Sequence, residues 1–139
     1  MSRKIARELA FKVIFSFNFQ DENEQIESLI DNLKNETNEI NQEDSDYINS
    51  ITKGVIEKKD TLDEVIKKYL KDWTMERISK TDLAILRVAV YEILYRDDIP
   101  YKVSVNEAVE LAKTFSDGGS PSFINGVLAG VISGLEQNN

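Results

Sequence analysis

The sequence predicts an all-α protein of about seven helices, and three observations support this. Apolar residues recur at helical spacing along most of the 139 residues. The only two prolines, Pro100 and Pro121, both fall where connections are expected. An alternating, strand-like pattern occurs only at Tyr101, Val103 and Val105, which is too short to indicate a strand.

The first two helices are indicated by their apolar faces. The first is expected over roughly Arg3 to Phe19. Its apolar side consists of Leu9, Phe11, Val13, Ile14 and Phe17. A second helix is expected over about Gln25 to Asn35, and a polar loop follows it.

One long helix is predicted from about Asp44 to Leu70. Its apolar residues repeat every seven positions, and this repeat continues through residues 58–60. A break in the helix would normally shift the repeat. These residues are Ile48, Ile51, Val55, Leu62, Val65 and Tyr69. The alternative is a new helix that begins with a capping box at residues 61–64. Trp73, just beyond, is interpreted as a core residue.

The next predicted helix follows a short turn and ends at about Leu94. A short turn, which could be helical, is expected over residues 75–78. Ser79 or Thr81 is then expected to cap a helix that runs through Leu94. This helix is apolar on most sides, which is typical of a central element.

The last two helices each begin with a capping signal. Ser104 and Glu107 have the spacing of a capping box before a helix over about residues 105–115. Ser120 is expected to cap the final helix, over residues 121–135. Gly126, Gly130 and Gly134 share one face of that helix, which indicates a close helix–helix contact.

Composition argues against an enzyme and against a metal site. The chain contains no cysteine and no histidine, so it lacks thiolate ligands and the commonest general base. Glu107 and Glu110 have the spacing of bundle di-metal carboxylates, but such sites also need histidine. We therefore expect no catalytic residue, no metal and no cofactor.

The sequence also argues against a membrane protein. No signal peptide is evident, and the longest apolar stretch, residues 123–135, is too short to span a bilayer. A cytoplasmic protein is expected.

Charge is distributed unevenly along the chain. The net charge is −8, but residues 1–20 carry +3 and residues 21–46 carry −9. Arg3 and Arg7 lie four residues apart on one predicted helix face, with Lys4 beside them. This pattern indicates a partner of negative charge such as RNA; the alternative is a solvated helix start.

The glycine-rich loop at residues 116–120 opens onto the last helix. It lacks the Lys-Ser/Thr of a nucleotide-binding P-loop. Free N–H groups at the start of a helix suit an RNA phosphate, and Phe123, one turn in, is placed to stack on a base. The alternative for the loop is that it only connects two helices, and the alternative for Phe123 is that it is a core aromatic residue.

Four segments together resemble the NusB family of transcription antitermination factors. They are Arg7–Ala10, Asp82–Glu92, Ile99–Lys113 and Phe123–Leu128. The resemblance covers nearly the whole chain except residues 21–46. It implies two packed helical bundles within one RNA-binding domain over residues 1–139, with subdomains of about 1–78 and 79–139.

The resemblance also implies a function without catalysis. Members of the family bind the boxA element of ribosomal RNA leaders together with the ribosomal protein NusE. The pair helps the RNA polymerase antitermination complex read through terminators. The alternatives are the similar RNA-binding domain of ribosomal-RNA cytosine methyltransferases and a helical adaptor that binds only proteins. A monomer or weak homodimer is expected.

Site residues follow from matching the family's motifs. The basic N-terminal segment is matched by Arg3, Lys4 and Arg7, and the Phe-Val-Asn-Gly motif by residues 123–126. The predicted RNA-binding residues are Arg3, Lys4, Arg7, Gly118, Ser120 and Phe123. The resemblance places the NusE-binding surface at Tyr69 and Asp82.

Overall fold

The computed structural model describes residues 3–17, 41–71 and 74–137, and within them the protein is all-α. The described residues form six α-helices and one 3-10 turn at Met75–Arg77. The helices are α1 (Arg3–Phe17), α2 (Gln42–Glu57), α3 (Lys59–Lys68), α4 (Lys80–Tyr95), α5 (Tyr101–Phe115) and α6 (Ser120–Gln137). The all-α prediction is confirmed. The predicted helix over residues 25–35 and Trp73 lie outside the described residues.

The chain divides into two compact units, Met1–Glu57 and Lys58–Asn139. The sequence predicts the boundary near residue 78. The contacts place it earlier because α3 packs against α4 and α6, which belong to the second unit. That all 139 residues form one RNA-binding domain stays a prediction.

In the first unit, α1 packs against α2. The predicted apolar face of α1 is largely buried, including Leu9, Val13 and Ile14. On α2, Tyr47 lies beneath Arg3 and Arg7 of α1, and both Tyr47 and Ile51 are buried. This burial removes apolar surface from water and is the main stabilising term of the helix pair.

In the second unit, α4 is central, as predicted. It packs against α3, α5 and α6, and α5 also packs against α6. Every residue from Ala84 to Val90 is buried, because each side of the helix faces another element. Ser79 is the N-cap, and its hydroxyl accepts a hydrogen bond of 3.1 Å from the Asp82 N–H. The predicted cap and the helical turn before it are confirmed.

The prediction of one long helix from Asp44 to Leu70 is wrong, because the helix breaks at Lys58. Lys58 has φ −100° and ψ 14° and stands as the N-cap of α3, without a side-chain hydrogen bond. The break occupies a single residue, so the spacing of apolar residues continues through it. The apolar faces nevertheless pack separately: α2 against α1, and α3 against α4 and α6.

The capping box predicted at Ser104 and Glu107 is also wrong. Helix α5 already begins at Tyr101, with Pro100 as its N-cap. Ser104 therefore lies inside the helix, where its hydroxyl donates a 2.7 Å hydrogen bond to Glu92 Oε1. Both residues are buried, so this tertiary hydrogen bond has replaced the local one.

The glycine face of α6 makes the predicted close contact at two of its three positions. The ring of Tyr69, the C-cap of α3, lies against Gly130 and Gly134. A Cβ built on Gly130 would lie 2.9 Å from Tyr69 Cδ1, and one on Gly134 would overlap the Tyr69 hydroxyl. Gly126, in contrast, is exposed, and a Cβ there would meet no described atom within 4 Å.

No helix in the described parts of the chain is both long enough and apolar enough to cross a membrane.

Candidate nucleic-acid interface

The basic residues predicted to bind RNA lie on α1, in the first unit; we call Arg3, Lys4 and Arg7 the α1 basic surface. The Arg3 guanidinium carbon lies 4.4 Å from the centroid of the Tyr47 ring, and that of Arg7 lies 5.5 Å from it. Arg3 Nε also donates a 3.3 Å hydrogen bond to Asp44 Oδ1. Part of the positive charge is thus engaged within the unit.

Exposure separates the three residues. Lys4 is exposed, and the Arg3 side chain keeps 31% of its surface open to solvent. Arg7 is only 4% exposed. Lys4 and Arg3 therefore present charge at the surface, while Arg7 is chiefly a packed residue over Tyr47.

Asp44, the acidic partner of Arg3, is held by the start of α2. Asn41 precedes this helix, and its side-chain oxygen accepts a 2.8 Å hydrogen bond from the Asp44 N–H. An acidic residue in the first turn is also favoured by the helix dipole. The position of Arg3 thus depends on a locally well-defined helix start.

The second group of predicted RNA-binding residues surrounds the connection between α5 and α6. Helix α5 ends at Phe115, Ser116 is its C-cap, and α6 begins at Ser120. The Ser120 N–H donates to the Asp117 carbonyl at 2.8 Å, which closes the turn. Phe123 lies one turn further on, and its N–H donates to the Gly119 carbonyl at 3.1 Å.

The Asp82 carboxylate, from the first turn of α4, joins the two ends of this connection. Oδ1 accepts a 2.5 Å hydrogen bond from the Ser116 hydroxyl, and Oδ2 accepts one of 2.8 Å from the Ser120 hydroxyl. Asp82 is only 7% exposed. Hydrogen bonds to a carboxylate contribute about 1.5–3 kcal/mol each. Most of the Asp82 side chain, predicted to face NusE, is therefore engaged inside the second unit.

A cavity of about 390 Å³ opens beside this connection, and we call it the loop cavity. Its lining includes Arg77, Ser79, Asp82, Phe115, Ser120 and Phe123. Phe123 is half-buried and Phe115 is 36% exposed, so neither aromatic residue is a fully enclosed core residue. Aromatic rings and a guanidinium in one concavity suit an unstacked base and its phosphate. The start of α6 adds few donors, because the Ser120 and Phe123 N–H groups are already paired and Pro121 has none.

The structure thus brings together Asp82, Ser120 and Phe123 at one cavity, with Gly118 in the adjoining loop. The α1 basic surface belongs to the other unit. Tyr69 is half-buried, and its ring packs on α6, with Lys68 Nζ 5.6 Å from the ring centroid.

Sequence reasoning missed Arg77 and Phe115 as residues of the loop cavity. Arg77 belongs to the 3-10 turn before α4, and Phe115 is the last residue of α5. A signal was present for Phe115, because an apolar residue directly before a glycine-rich loop is poorly covered by its own helix. None was evident for Arg77.

A second, more polar groove of about 470 Å³ runs along α5 and the start of α6. Asn106, Lys113, Ser122 and Asn125 are among its lining residues. Within the ranges that the structure describes, no group of three acidic side chains is placed to hold a metal ion.

Comparisons with known proteins add to this geometry. A sequence model described as the NusB family matches residues 4–133. The chain is 45% identical over 134 residues to the transcription antitermination protein NusB of Acetivibrio thermocellus, covering 95% of this chain and 89% of that protein.

Two solved structures share the fold. The structure titled T. maritima NusB has a TM-score of 0.86 at 30% identity, covering 96% of this chain and 92% of that one. A crystal structure of the antitermination factors NusB and NusE in complex with dsRNA has a TM-score of 0.84 at 24% identity. It covers 95% of this chain and 96% of the other, and at this identity it shows the fold alone.

Proposed function

The chain belongs to the NusB family, and we propose that it acts as a transcription antitermination factor. In this proposal it binds the boxA RNA of ribosomal RNA leaders together with NusE, and the pair helps RNA polymerase read through terminators. It is a binding protein and not an enzyme, it needs no cofactor, and it works in the cytoplasm as a monomer or weak homodimer. The name of the 45% identical relative supports this assignment.

The observation that carries the proposal is the loop cavity. Phe123 and Phe115 offer ring faces, and Arg77 offers a cation, around one concavity beside a helix start. Single-stranded RNA is commonly bound in this way, by stacking of unpaired bases on aromatic rings and contacts to phosphates. The Ser120 hydroxyl and N–H donate hydrogen bonds to Asp82 and Asp117, so Ser120 holds the start of α6 in place, and the backbone of the neighbouring Gly118 is the group proposed to receive a phosphate.

The α1 basic surface supplies the second part of the RNA interaction. Lys4 and the exposed part of Arg3 contact phosphates, while Arg7 supports Arg3 by packing over the same ring. Two exposed cations contribute little affinity in a chain of net charge −8. We therefore expect weak RNA binding by the protein alone.

NusE supplies the rest of the affinity. Tyr69 and the exposed edge of Asp82 are the proposed contact residues for NusE. A basic ribosomal protein would be attracted to an acidic chain, which raises the rate of encounter. By linkage, RNA must tighten the protein pair by the same factor by which NusE tightens RNA binding.

A titration with a boxA RNA oligonucleotide, with and without NusE, tests the proposal. A scrambled RNA of equal length serves as the control. We expect tighter boxA binding by the pair than by either protein and a smaller gain for the scrambled RNA. Binding of NusE without any effect of RNA would instead indicate a helical adaptor. No interaction with either NusE or RNA would contradict the proposed function altogether.

A further inference from the structure

Asp82 joins three segments of the second unit through one side chain and its own backbone. Its N–H donates to Ser79 at the start of α4, and its two carboxylate oxygens accept from Ser116 and Ser120. Ser116 closes α5, and Ser120 opens α6. The distance of 2.5 Å to the Ser116 hydroxyl is typical of a short hydrogen bond to a carboxylate.

The loop between these two serines has little packing of its own. A Cβ built on Gly118 or Gly119 would meet no described atom within 4 Å. The loop residues are exposed, whereas Asp82 is buried beneath them. The two hydrogen bonds to Asp82 therefore hold the ends of this loop, beside the backbone hydrogen bond between Ser120 and Asp117 that closes its turn. Phe123 follows one turn after Ser120, so the direction of its ring depends on the same anchor.

We propose that Asp82 is a positioning residue for RNA binding, which holds the α5–α6 loop and the first turn of α6 so that Phe123 is presented at the loop cavity. This inference rests on the proposed function, because it assumes that RNA binds at the cavity. It adds a role for Asp82 that differs from contact with NusE. A substitution at Asp82 is then expected to alter RNA binding even when NusE is absent.

Electrostatics alone predict the opposite change in RNA affinity when Asp82 is replaced, and this difference makes the inference testable. Removing a carboxylate near an RNA site should strengthen binding, because one repulsive charge is lost. Removing an anchor should weaken binding, because the ring and the helix start are no longer held. The two effects can be separated by a substitution that removes the charge and keeps the hydrogen bonds.

The variants are Asp82→Ala, Asp82→Asn and Ser116→Ala, with Asp117→Ala as the matched charge control. Asparagine has no charge, but its amide can still engage both serine hydroxyls. Ser116→Ala removes one anchoring bond without altering charge. Asp117 is an exposed acid of the same loop, and its only described hydrogen bond uses the backbone carbonyl.

Each variant is titrated with boxA RNA at several salt concentrations, without NusE and at a temperature where circular dichroism shows it to be folded. Asp82→Ala should weaken binding about fivefold, the equivalent of one net hydrogen bond. Ser116→Ala should weaken it less, and Asp82→Asn, which keeps the hydrogen bonds and loses a repulsive charge, should bind at least as tightly as the wild type. The salt slope should stay unchanged, because no phosphate contact is removed. Asp117→Ala should bind as tightly as the wild type or more tightly.

A second measurement does not depend on RNA. Backbone ¹⁵N relaxation of Gly118 and Gly119 should show more motion on the picosecond-to-nanosecond scale in Asp82→Ala than in Asp82→Asn. If Asp82→Ala does not fold, Ser116→Ala provides the same two readouts.

The outcomes are distinct. If the wild type binds boxA RNA and both Asp82→Ala and Ser116→Ala bind equally well, the inference is overturned while the proposed function stands. Tighter binding by Asp82→Ala, parallel to Asp117→Ala, would mean that only its charge matters and would overturn it too. If the wild type does not bind boxA RNA even with NusE, the proposed function fails and the inference fails with it.

Discussion

The α1 basic surface and the loop cavity are built in opposite ways. On α1, two cations lie over one buried ring, Tyr47, and an acidic residue pairs with Arg3, so the exposed charge is what remains after internal pairing. At the loop cavity, the Asp82 carboxylate is buried, and the lining groups that reach the surface are one cation, Arg77, the rings of Phe115 and Phe123 and a glycine-rich loop.

The difference predicts two kinds of RNA contact. Contacts through charge release counterions, so they weaken steeply as salt is added. Contacts through stacking depend on where the rings point and respond little to salt. Affinity and salt dependence can therefore be changed separately, one from each region. The following predictions test that separation and the packing that supports each unit, in order of decreasing effect.

The largest effect is expected from Tyr47→Ala. This buried ring packs beneath Arg3 and Arg7, and removing it should cost about 3–5 kcal/mol of the free energy of unfolding, as for other buried aromatic residues. Urea denaturation measures the loss. The control Tyr47→Phe keeps the ring, so it should lose no more than about 1.5 kcal/mol. Equal losses in both variants would show that the hydroxyl group, and not the ring, holds this region.

Phe123→Ala should come next. It should weaken boxA binding by about 1–3 kcal/mol with little change in salt slope, because a stacking ring carries no charge. Calorimetric titrations at several salt concentrations measure the affinity and its salt slope. A thermal melt measures the stability of the variant. Phe123→Tyr keeps a ring face and should bind nearly normally. A loss of about 3–5 kcal/mol in stability would instead identify Phe123 as a core residue.

The double variant Arg3→Ala with Lys4→Ala should change the salt slope. Each lost phosphate contact should reduce the slope by about 0.7 on single-stranded RNA. Arg7 is left intact because it is buried. Lys102→Ala, which removes an exposed lysine from α5, is the control and should leave the slope unchanged. An unaltered slope in the double variant would remove the α1 basic surface from the RNA interface.

The smallest effects concern α6 beyond the cavity. Gly126→Ala should raise stability by up to about 1 kcal/mol, because alanine favours a helix and its Cβ meets no described atom. Gly130→Ala should lower stability, since its Cβ would lie 2.9 Å from Tyr69. Thermal melts of the two variants should therefore shift in opposite directions. A shift in the same direction would mean that the Tyr69 ring moves freely aside.

Much of the fold follows from local sequence signals. The apolar face of α1, the all-round apolar character of α4 and the cap at Ser79 each lead to the observed element. These signals work because helix periodicity and capping hydrogen bonds involve residues within one or two turns of each other. The predicted start of α5, near residue 105, is four residues too late. Pro100 is a signal for the observed start at Tyr101, because proline is common at helix starts.

The prediction of the site was less complete. Sequence placed Phe123, Ser120 and Gly118 beside one loop, but it could not show that Asp82, more than 30 positions earlier, binds both ends of that loop. It also treated Arg3 and Arg7 as equals, although only Arg3 has a substantially exposed side chain. These facts depend on which helix packs against which.

By itself, then, the sequence determined the helical class, the position of most helices and the family, and it predicted the two regions that are proposed to contact RNA. The tertiary structure decided where the long apolar register breaks, at Lys58, and where the hydroxyl of Ser104 finds its partner, at Glu92. It also decided that Asp82 is an internal anchor. The physical reason is common to all three: a periodic pattern or a polar side chain shows that burial or a hydrogen bond is required, whereas only packing selects the group that satisfies it.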